Sequence, residues 1–198
     1  SVLSTFELRL GEKEQTLETK FDKDIPKWLV GDTIRINQIL LNLIGNAIKF
    51  TEIGGSIGIR VNLLSQDEEK VVLKVNISDT GIGIPRDELK NIFNPFAQYG
   101  NNTARKYGGS GLGLNIVKQL LDLMHGSITV KSEVAVGSDF TFTLPLMKSK
   151  KTHIKTKKTI SADDALVPDV PLYILIVDCL LYTSDAADDL LCVDLGGR

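Results

Sequence analysis

Residues 31–51 read GDTIRINQILLNLIGNAIKFT, and the architecture follows from them. Ile34, Ile36, Ile39, Leu40, Leu41, Leu43, Ile44, Ala47 and Ile48 wrap most of a helix that opens at Asp32 as N-cap and runs through Phe50. The polar residues Arg35, Gln38, Asn42, Asn46 and Lys49 fall within an arc of roughly 80° at about 100° per residue. One narrow polar line therefore crosses a helix that is apolar nearly all round. A solvated face is one reading of that line. Two mid-helix asparagines count against it, because Asn is a poor helix former and surface helices prefer Glu and Lys.

Working outward, FELRL (6–10) and TLETKF (16–21) alternate and are predicted as strands, followed by a turn at Asp24-Ile25-Pro26. Residues 56–64 and 71–78 are predicted as two strands joined by the polar tip Gln66-Asp67-Glu68-Glu69. A short helix is expected over 85–92, and a polar, glycine-rich loop over 100–111. Residues 112–124 form an amphipathic helix closed at His125-Gly126, with Gly126 as the expected left-handed cap. Residues 127–132 and 140–144 complete the set as strands.

The chain has 198 residues, a net charge of −2, 42% hydrophobic and 24% charged residues. This composition supports one domain with a core and excludes a disordered tail or a nucleic-acid binder driven by bulk charge. The start of the chain carries Glu7 and Arg9 among alternating residues and does not read as a signal peptide. No apolar run approaches the length needed to cross a bilayer. The two cysteines, Cys179 and Cys192, lack metal-like spacing, so a reducing compartment is the default expectation. Composition shifts after Leu146. A lysine-rich then acidic stretch, 149–170, reads as a linker rather than a nucleic-acid or membrane patch, since it has no interleaved aromatics. Residues 1–148 hold equal numbers of acidic and basic side chains, which places the whole net charge beyond the domain.

Three features carry chemistry. Asn42 and Asn46, one turn apart on the same side, offer neutral carbonyl oxygens, one of which can complete the shell of a nucleotide-bound Mg²⁺ that keeps phosphate and water as its other ligands. The strand ending at Asp79 delivers a carboxylate able to accept from an exocyclic amine, and Gly81 and Gly83 in DTGIGIP let a flat ring approach the backbone. A purely structural turn is the alternative there. The third is GGSGLGL (108–114), which runs straight into a helix and offers successive N–H groups as a phosphate cradle, with a flexible linker as its alternative. It matches neither a P-loop nor a dinucleotide fingerprint.

In this order, the motifs resemble the catalytic, ATP-binding domain of sensor histidine kinases within the GHKL ATPase group. GDTIRINQILLNLIGNAIKFT resembles the N box, DTGIGIP and GGSGLGL the two glycine boxes, IFNPFAQ the F box, and HGSITVKSEVAVGSDFTFTLPL the closing strand pair. The resemblance implies an α/β fold of the α+β two-layer kind, the Bergerat fold, with a mixed sheet and helices on one face. It implies that Asn46 binds Mg²⁺, that Asn42 stands where chaperone and gyrase relatives carry a catalytic glutamate, and that Lys49 contacts phosphate. It places Phe50 against adenine and makes Asp79 the adenine reader. Gly81, Gly83, Ile84, Phe93, Phe96, Arg105, Gly109, Gly111, Leu112 and Gly113 complete the implied ATP site. Met124-His125-Gly126 departs from the family's more frequent Met-Gly-Gly, with little effect expected.

The implied reaction is transfer of the γ-phosphoryl of MgATP to a histidine on a separate dimerisation domain. Neither His125 nor His153 has the setting of a phosphoacceptor, so the chain reads as beginning after the dimerisation helices. LYILIVD, within 171–178, resembles the first strand of a receiver domain, though Cys179 follows Asp178 where a second acid is usual. The implied parent is a homodimeric hybrid kinase with its own phosphoacceptor domain, a downstream receiver and no nucleic-acid partner, on the cytoplasmic side of any membrane. Residues 179–198 fit neither family and read as translated adapter or vector sequence, a divergent tail being the alternative. Other GHKL ATPases and a non-catalytic nucleotide sensor are the competing classes. The former need a glutamate at position 42, and the motif residues that the latter would lose are intact.

Overall fold

In the computed structural model, residues 5–26, 28–97 and 111–148 are described, together with the backbone of 173–174. The elements are α1 (Glu7–Glu12), β1 (Thr16–Phe21), β2 (Leu29–Val30), α2 (Thr33–Phe50), β3 (Ser56–Gln66), β4 (Lys70–Asp79), α3 (Gly113–Leu123), β5 (Ser127–Glu133), β6 (Gly137–Lys148) and β7 (Tyr173–Ile174). The strands form one sheet in the order β1-β3-β4-β6-β2-β7, with β5 also paired to β6. β1 runs parallel to β3 and the other pairs are antiparallel, so the sheet is mixed as expected.

Alternation gives the sheet a buried and an open face. Ile57, Ile59 and Val61 of β3, Val71, Leu73, Val75 and Ile77 of β4, and Phe140, Phe142, Leu144 and Leu146 of β6 are buried. They meet Ile36, Ile39, Leu40, Leu43, Ile44, Ala47 and Ile48 of α2 and Val117 and Leu121 of α3 in a single core. The opposite face carries Arg60, Lys74, Asn76 and Thr141. Asp32 caps α2 as anticipated, its carboxylate accepting from the Arg35 amide at 3.1 Å and pairing with the Arg35 guanidinium at 3.0 Å.

The tip of the β3–β4 hairpin is closed by Asp67, which accepts from the Glu69 and Lys70 amides. These bonds hold its carboxyl below the usual range. The Lys148 amide donates to Glu69 O and its ammonium to Asp67 O. The end of β6 is thereby fastened to the hairpin tip.

Three expectations fail. FELRL is not a strand: residues 7–12 are helical, with Phe6 buried, Leu10 partly buried and Leu8 74% exposed. The burying pair is spaced i, i+4, which is helical. Residues 86–93 form successive turns, not a helix, with Glu88 and Leu89 amides both returning to Pro85 O. The left-handed residue after α3 is His125, at φ 57°, and not Gly126. The Gly126 amide bonds Leu121 O and the His125 amide bonds Asp122 O, the pattern of a Schellman motif with His125 at C′. Gly126 is needed for closeness, since a Cβ there would run into Thr143 O. Two-residue β2 had no period to read. The linker, all of the receiver-like stretch except the paired backbone of Tyr173–Ile174, and the 179–198 tail lie outside the described residues.

Opposite glycine exchanges test these local conclusions. A Cβ at Gly45, mid-α2, would lie 3.7 Å from the Phe6 ring, ordinary contact. Gly45→Ala should therefore raise stability by about 0.5–1 kcal/mol from helix propensity. His125→Gly should add up to about 1 kcal/mol by relieving the left-handed side chain. Urea unfolding of each variant reads both.

Candidate functional site

The polar line of α2 ends where three backbone segments converge. Asn42, Asn46 and Lys49 share one face at spacings of four and three. The Asn42 amide nitrogen donates to Gln38 O at 2.8 Å. Its oxygen faces Gly113, where a Cβ would stand 2.8 Å away. This places the first residue of α3 against the polar line. Asn46 makes no side-chain hydrogen bond to the described residues. The Lys49 ammonium lies 4.8 Å from the centre of the Phe50 ring, and partial burial lowers its pKa.

The DTGIG turn packs on the end of α2. The Ile82 amide donates to Phe50 O at 3.2 Å. A Cβ on Gly81 would fall 2.5 Å from that same oxygen and 2.8 Å from Asp79 Oδ1. Gly83 is left-handed at φ 69°, and a Cβ there would collide with the Glu133 carbonyl. Ile84 donates its amide to Ser132 Oγ at 2.8 Å and packs against the core.

Asp79 is half-buried at the end of β4. Its Oδ1 accepts from the Gly81 amide at 2.9 Å and the Ser138 amide at 3.3 Å. Oδ2 takes no bond from the described residues. Loss of water pushes the carboxyl pKa up, the two amides oppose the shift, and nearby Asp139 adds to it. One oxygen is fixed by the backbone, and the other remains to accept from a ligand.

The F-box-like segment divides. Phe93 packs against the core, and its carbonyl accepts from Asn115 of α3 at 2.9 Å. Phe96 is 72% exposed with φ 61°. Gly111, at φ 71°, backs onto Phe96 and Ala97. Leu112 caps α3 through its backbone, its carbonyl accepting from the Ile116 amide. Arg105 and Gly109 lie outside the described residues.

Sequence reasoning missed Lys13 and Gln15. The Lys13 ammonium donates to the carbonyls of Ile48, Lys49 and Thr51 at 2.8, 3.0 and 3.0 Å. Gln15 Nε2 donates to Ile48 O and Thr51 O at 3.1 and 2.7 Å. No local pattern announces a cap that reaches across more than thirty residues. Ser132 and Ser138, which support the glycine turn and Asp79, were likewise unmarked.

Residues 31–148 match the family model described as histidine kinase-, DNA gyrase B- and HSP90-like ATPase. Histidine kinase 5 of Arabidopsis thaliana is 43% identical over 155 residues, which are 68% of this chain and 17% of that protein. Hybrid signal transduction histidine kinase B of Dictyostelium discoideum is 46% identical over 134 residues, 68% of this chain and 7% of that one. The chain thus spans less than a fifth of the length of these relatives. Among solved structures, full-length ShkA in complex with AMPPNP superposes with a TM-score of 0.60 at 32% identity, covering 75% of this chain and 29% of that one. The catalytic domain of histidine kinase ThkA gives 0.60 at 27%, covering 73% and 87%.

Gly83→Ala, which combines backbone strain with a clash, should cost about 2–4 kcal/mol, read by thermal unfolding. The fold, the motif order and these matches agree: the chain belongs to the histidine kinase-, DNA gyrase B- and HSP90-like ATPase family, and within it to the ATP-binding catalytic domains of histidine kinases.

Proposed function

We propose that this domain serves a hybrid sensor histidine kinase and passes the γ-phosphoryl of MgATP to a histidine on a dimerisation domain. The observation that carries the reading is Asp79, with one oxygen held by two amides and the other open beside the end of α2. The open oxygen accepts the exocyclic amine of adenine. Phe50 lies against the base, and Gly81, Gly83 and Ile84 shape the pocket around it. Lys49 offsets phosphate charge. Gly111, Leu112 and Gly113 present backbone N–H groups at the start of α3, where the helix dipole favours anions. Gly109 and Arg105 extend that phosphate contact, and Phe93 and Phe96 support the segment leading to it.

Asn46 fits a hard cation: its amide oxygen takes no bond from the described residues and lies on the same face as Asn42 and Lys49. No cluster of three His, Cys, Asp or Glu side chains able to hold a metal occurs among the described residues. Asn46 would thus be one protein ligand beside phosphate and water. Mg²⁺, when bound, supplies charge neutralisation at the phosphates.

Asn42 supports a kinase over a hydrolase. Its nitrogen is committed to Gln38 O, and an amide cannot take a proton from water as a glutamate would. Neither histidine of the chain suits the acceptor role, since His125 is a helix C′ residue and His153 lies in the lysine-rich stretch. A homodimeric parent on the cytoplasmic side, with its own phosphoacceptor domain and a receiver fed by it, follows from this reading. The relatives named as hybrid kinases support the last element. No helix among the described residues is long and apolar enough to cross a membrane.

Asp79→Asn replaces the open acceptor with a donor. ATP affinity should fall about 10–100-fold by calorimetry, the loss of one charged hydrogen bond. A 6-oxo purine triphosphate such as ITP should lose far less. Unchanged ATP affinity would remove the adenine assignment.

The pH dependence has a definite sign. The Asp79 pKa is raised in the fold, so the folded state holds its proton more tightly than the unfolded chain. Ionised Asp79 therefore costs stability at neutral pH, and that cost disappears as pH falls through the raised pKa. ATP affinity should weaken over the same window, which is displaced upward from that of an ordinary aspartate, and Asp79→Asn should flatten that part of the profile. Radiolabelled ATP should leave the chain alone unlabelled and should label an added dimerisation domain; label on the isolated chain overturns the reading.

A further inference from the structure

The last turn of α2 ends in carbonyl oxygens that its own helix cannot satisfy, and they are taken up from outside it. Ala47 O accepts the Thr51 amide, and Phe50 O accepts the Ile82 amide. Ile48, Lys49 and Thr51 all depend on the Lys13 ammonium, which directs three hydrogen bonds at them. Gln15, 8% exposed, adds bonds to two of the three. A cation at a helix C-terminus also complements the dipole. Two of the residues whose carbonyls lie in this turn, Lys49 and Phe50, are those assigned to phosphate and base.

We propose that Lys13 is a positioning residue for nucleotide binding: it fixes the last turn of α2 so that Lys49 and Phe50 stand ready, without touching the nucleotide itself. This rests on the reading that the end of α2 binds ATP. Without Lys13, three partly buried carbonyls lose charged donors, and the turn has reason to rotate toward water. Lys49 and Phe50 move with it, because the carbonyls that lose this donor include that of Lys49. Gln15 alone cannot reach the Lys49 carbonyl within the bonds it makes. Nor does the loss resemble general destabilisation, since it is confined to the turn that carries both contacts.

The test compares Lys13→Met, Lys13→Gln and Lys13→Arg with Asp32→Ala in the full 198-residue chain. Asp32→Ala removes the N-cap at the far end of α2 and should lower stability without reaching the site. ATP and adenosine affinities are measured by calorimetry well below each unfolding midpoint. Lys13→Met should weaken ATP about tenfold or more and adenosine measurably, because base and phosphate contacts shift together. Lys13→Gln should fall between, Lys13→Arg should stay near wild type, and Asp32→Ala should bind within about twofold. Should Lys13→Met not fold, the Gln and Arg variants retain the order to be checked. Wild-type ATP affinity in a folded Lys13→Met or Lys13→Gln chain overturns the proposal, as does an equal loss in Asp32→Ala. Asp79→Asn run alongside separates the two ideas. If it binds ATP normally, the nucleotide reading fails; if it does not while Lys13→Met does, only the positioning role fails.

Discussion

A helix ends with carbonyls that need donors, and in this domain that requirement organises everything around α2. The helix runs through the core on its apolar side, so its last turn cannot simply face water. The donors come from the α1–β1 connection and from the DTGIG turn, segments on opposite sides of α2 in the sequence. Each segment that supplies a donor is thereby held against the end of the helix. The turn after β4 is placed there by the Ile82 amide, and the Asp79 carboxylate comes with it. The candidate site is in this sense a by-product of satisfying a helix terminus, positioned by hydrogen bonds to main-chain carbonyls from both side chains and backbone.

Most of the architecture was legible because it is periodic. The apolar wrap of α2, the alternation of β3, β4 and β6, and the stripe of α3 each show the period their structure demands. Misreadings occur where period is ambiguous or absent. Phe6, Leu8 and Leu10 alternate like a strand, but only the first and last turn inward, and a six-residue helix is too short to reveal which spacing matters. β2 is two residues long, and the turns after Pro85 have no repeating pattern. The candidate site residues singled out from sequence lie on regular elements or in glycine motifs, whereas Lys13 carries no such signal. A capping lysine is defined by what it meets across the fold, and its neighbours in the chain carry no trace of that.

His125 and Gly126 show how a correct residue can be assigned the wrong task. Gly at a helix end is ordinarily read as the left-handed residue, and here a histidine holds that conformation while the glycine yields space to Thr143. The two demands, backbone handedness and closeness, fall on adjacent positions, and a family sequence with two glycines would hide the division. A histidine at the first position tolerates the left-handed region better than a β-branched residue would. The second position tolerates no side chain at all, because the obstacle is backbone of another strand.

The same distinction explains why the site is rich in glycine. Gly81, Gly83 and Gly113 stand where a Cβ would meet Phe50, Glu133 or Asn42. At Gly81 and Gly83 separate segments approach to within contact of their main chains, whereas Gly113 backs onto the Asn42 side chain. Only Gly83 needs its unusual φ as well. Close approach brings amides into reach of a single carboxylate oxygen, as the Gly81 and Ser138 N–H groups reach Asp79 Oδ1. With that oxygen occupied, the carboxylate cannot swing, and its second oxygen points in one direction. The burial that raises its pKa and the amides that lower it are therefore two results of one packing event. A side chain at Gly81 would press on Phe50 O and Asp79 Oδ1 themselves, widen the gap, and admit water to the carboxylate. The adenine recognition proposed for Asp79 depends on the absence of atoms as much as on the carboxylate itself.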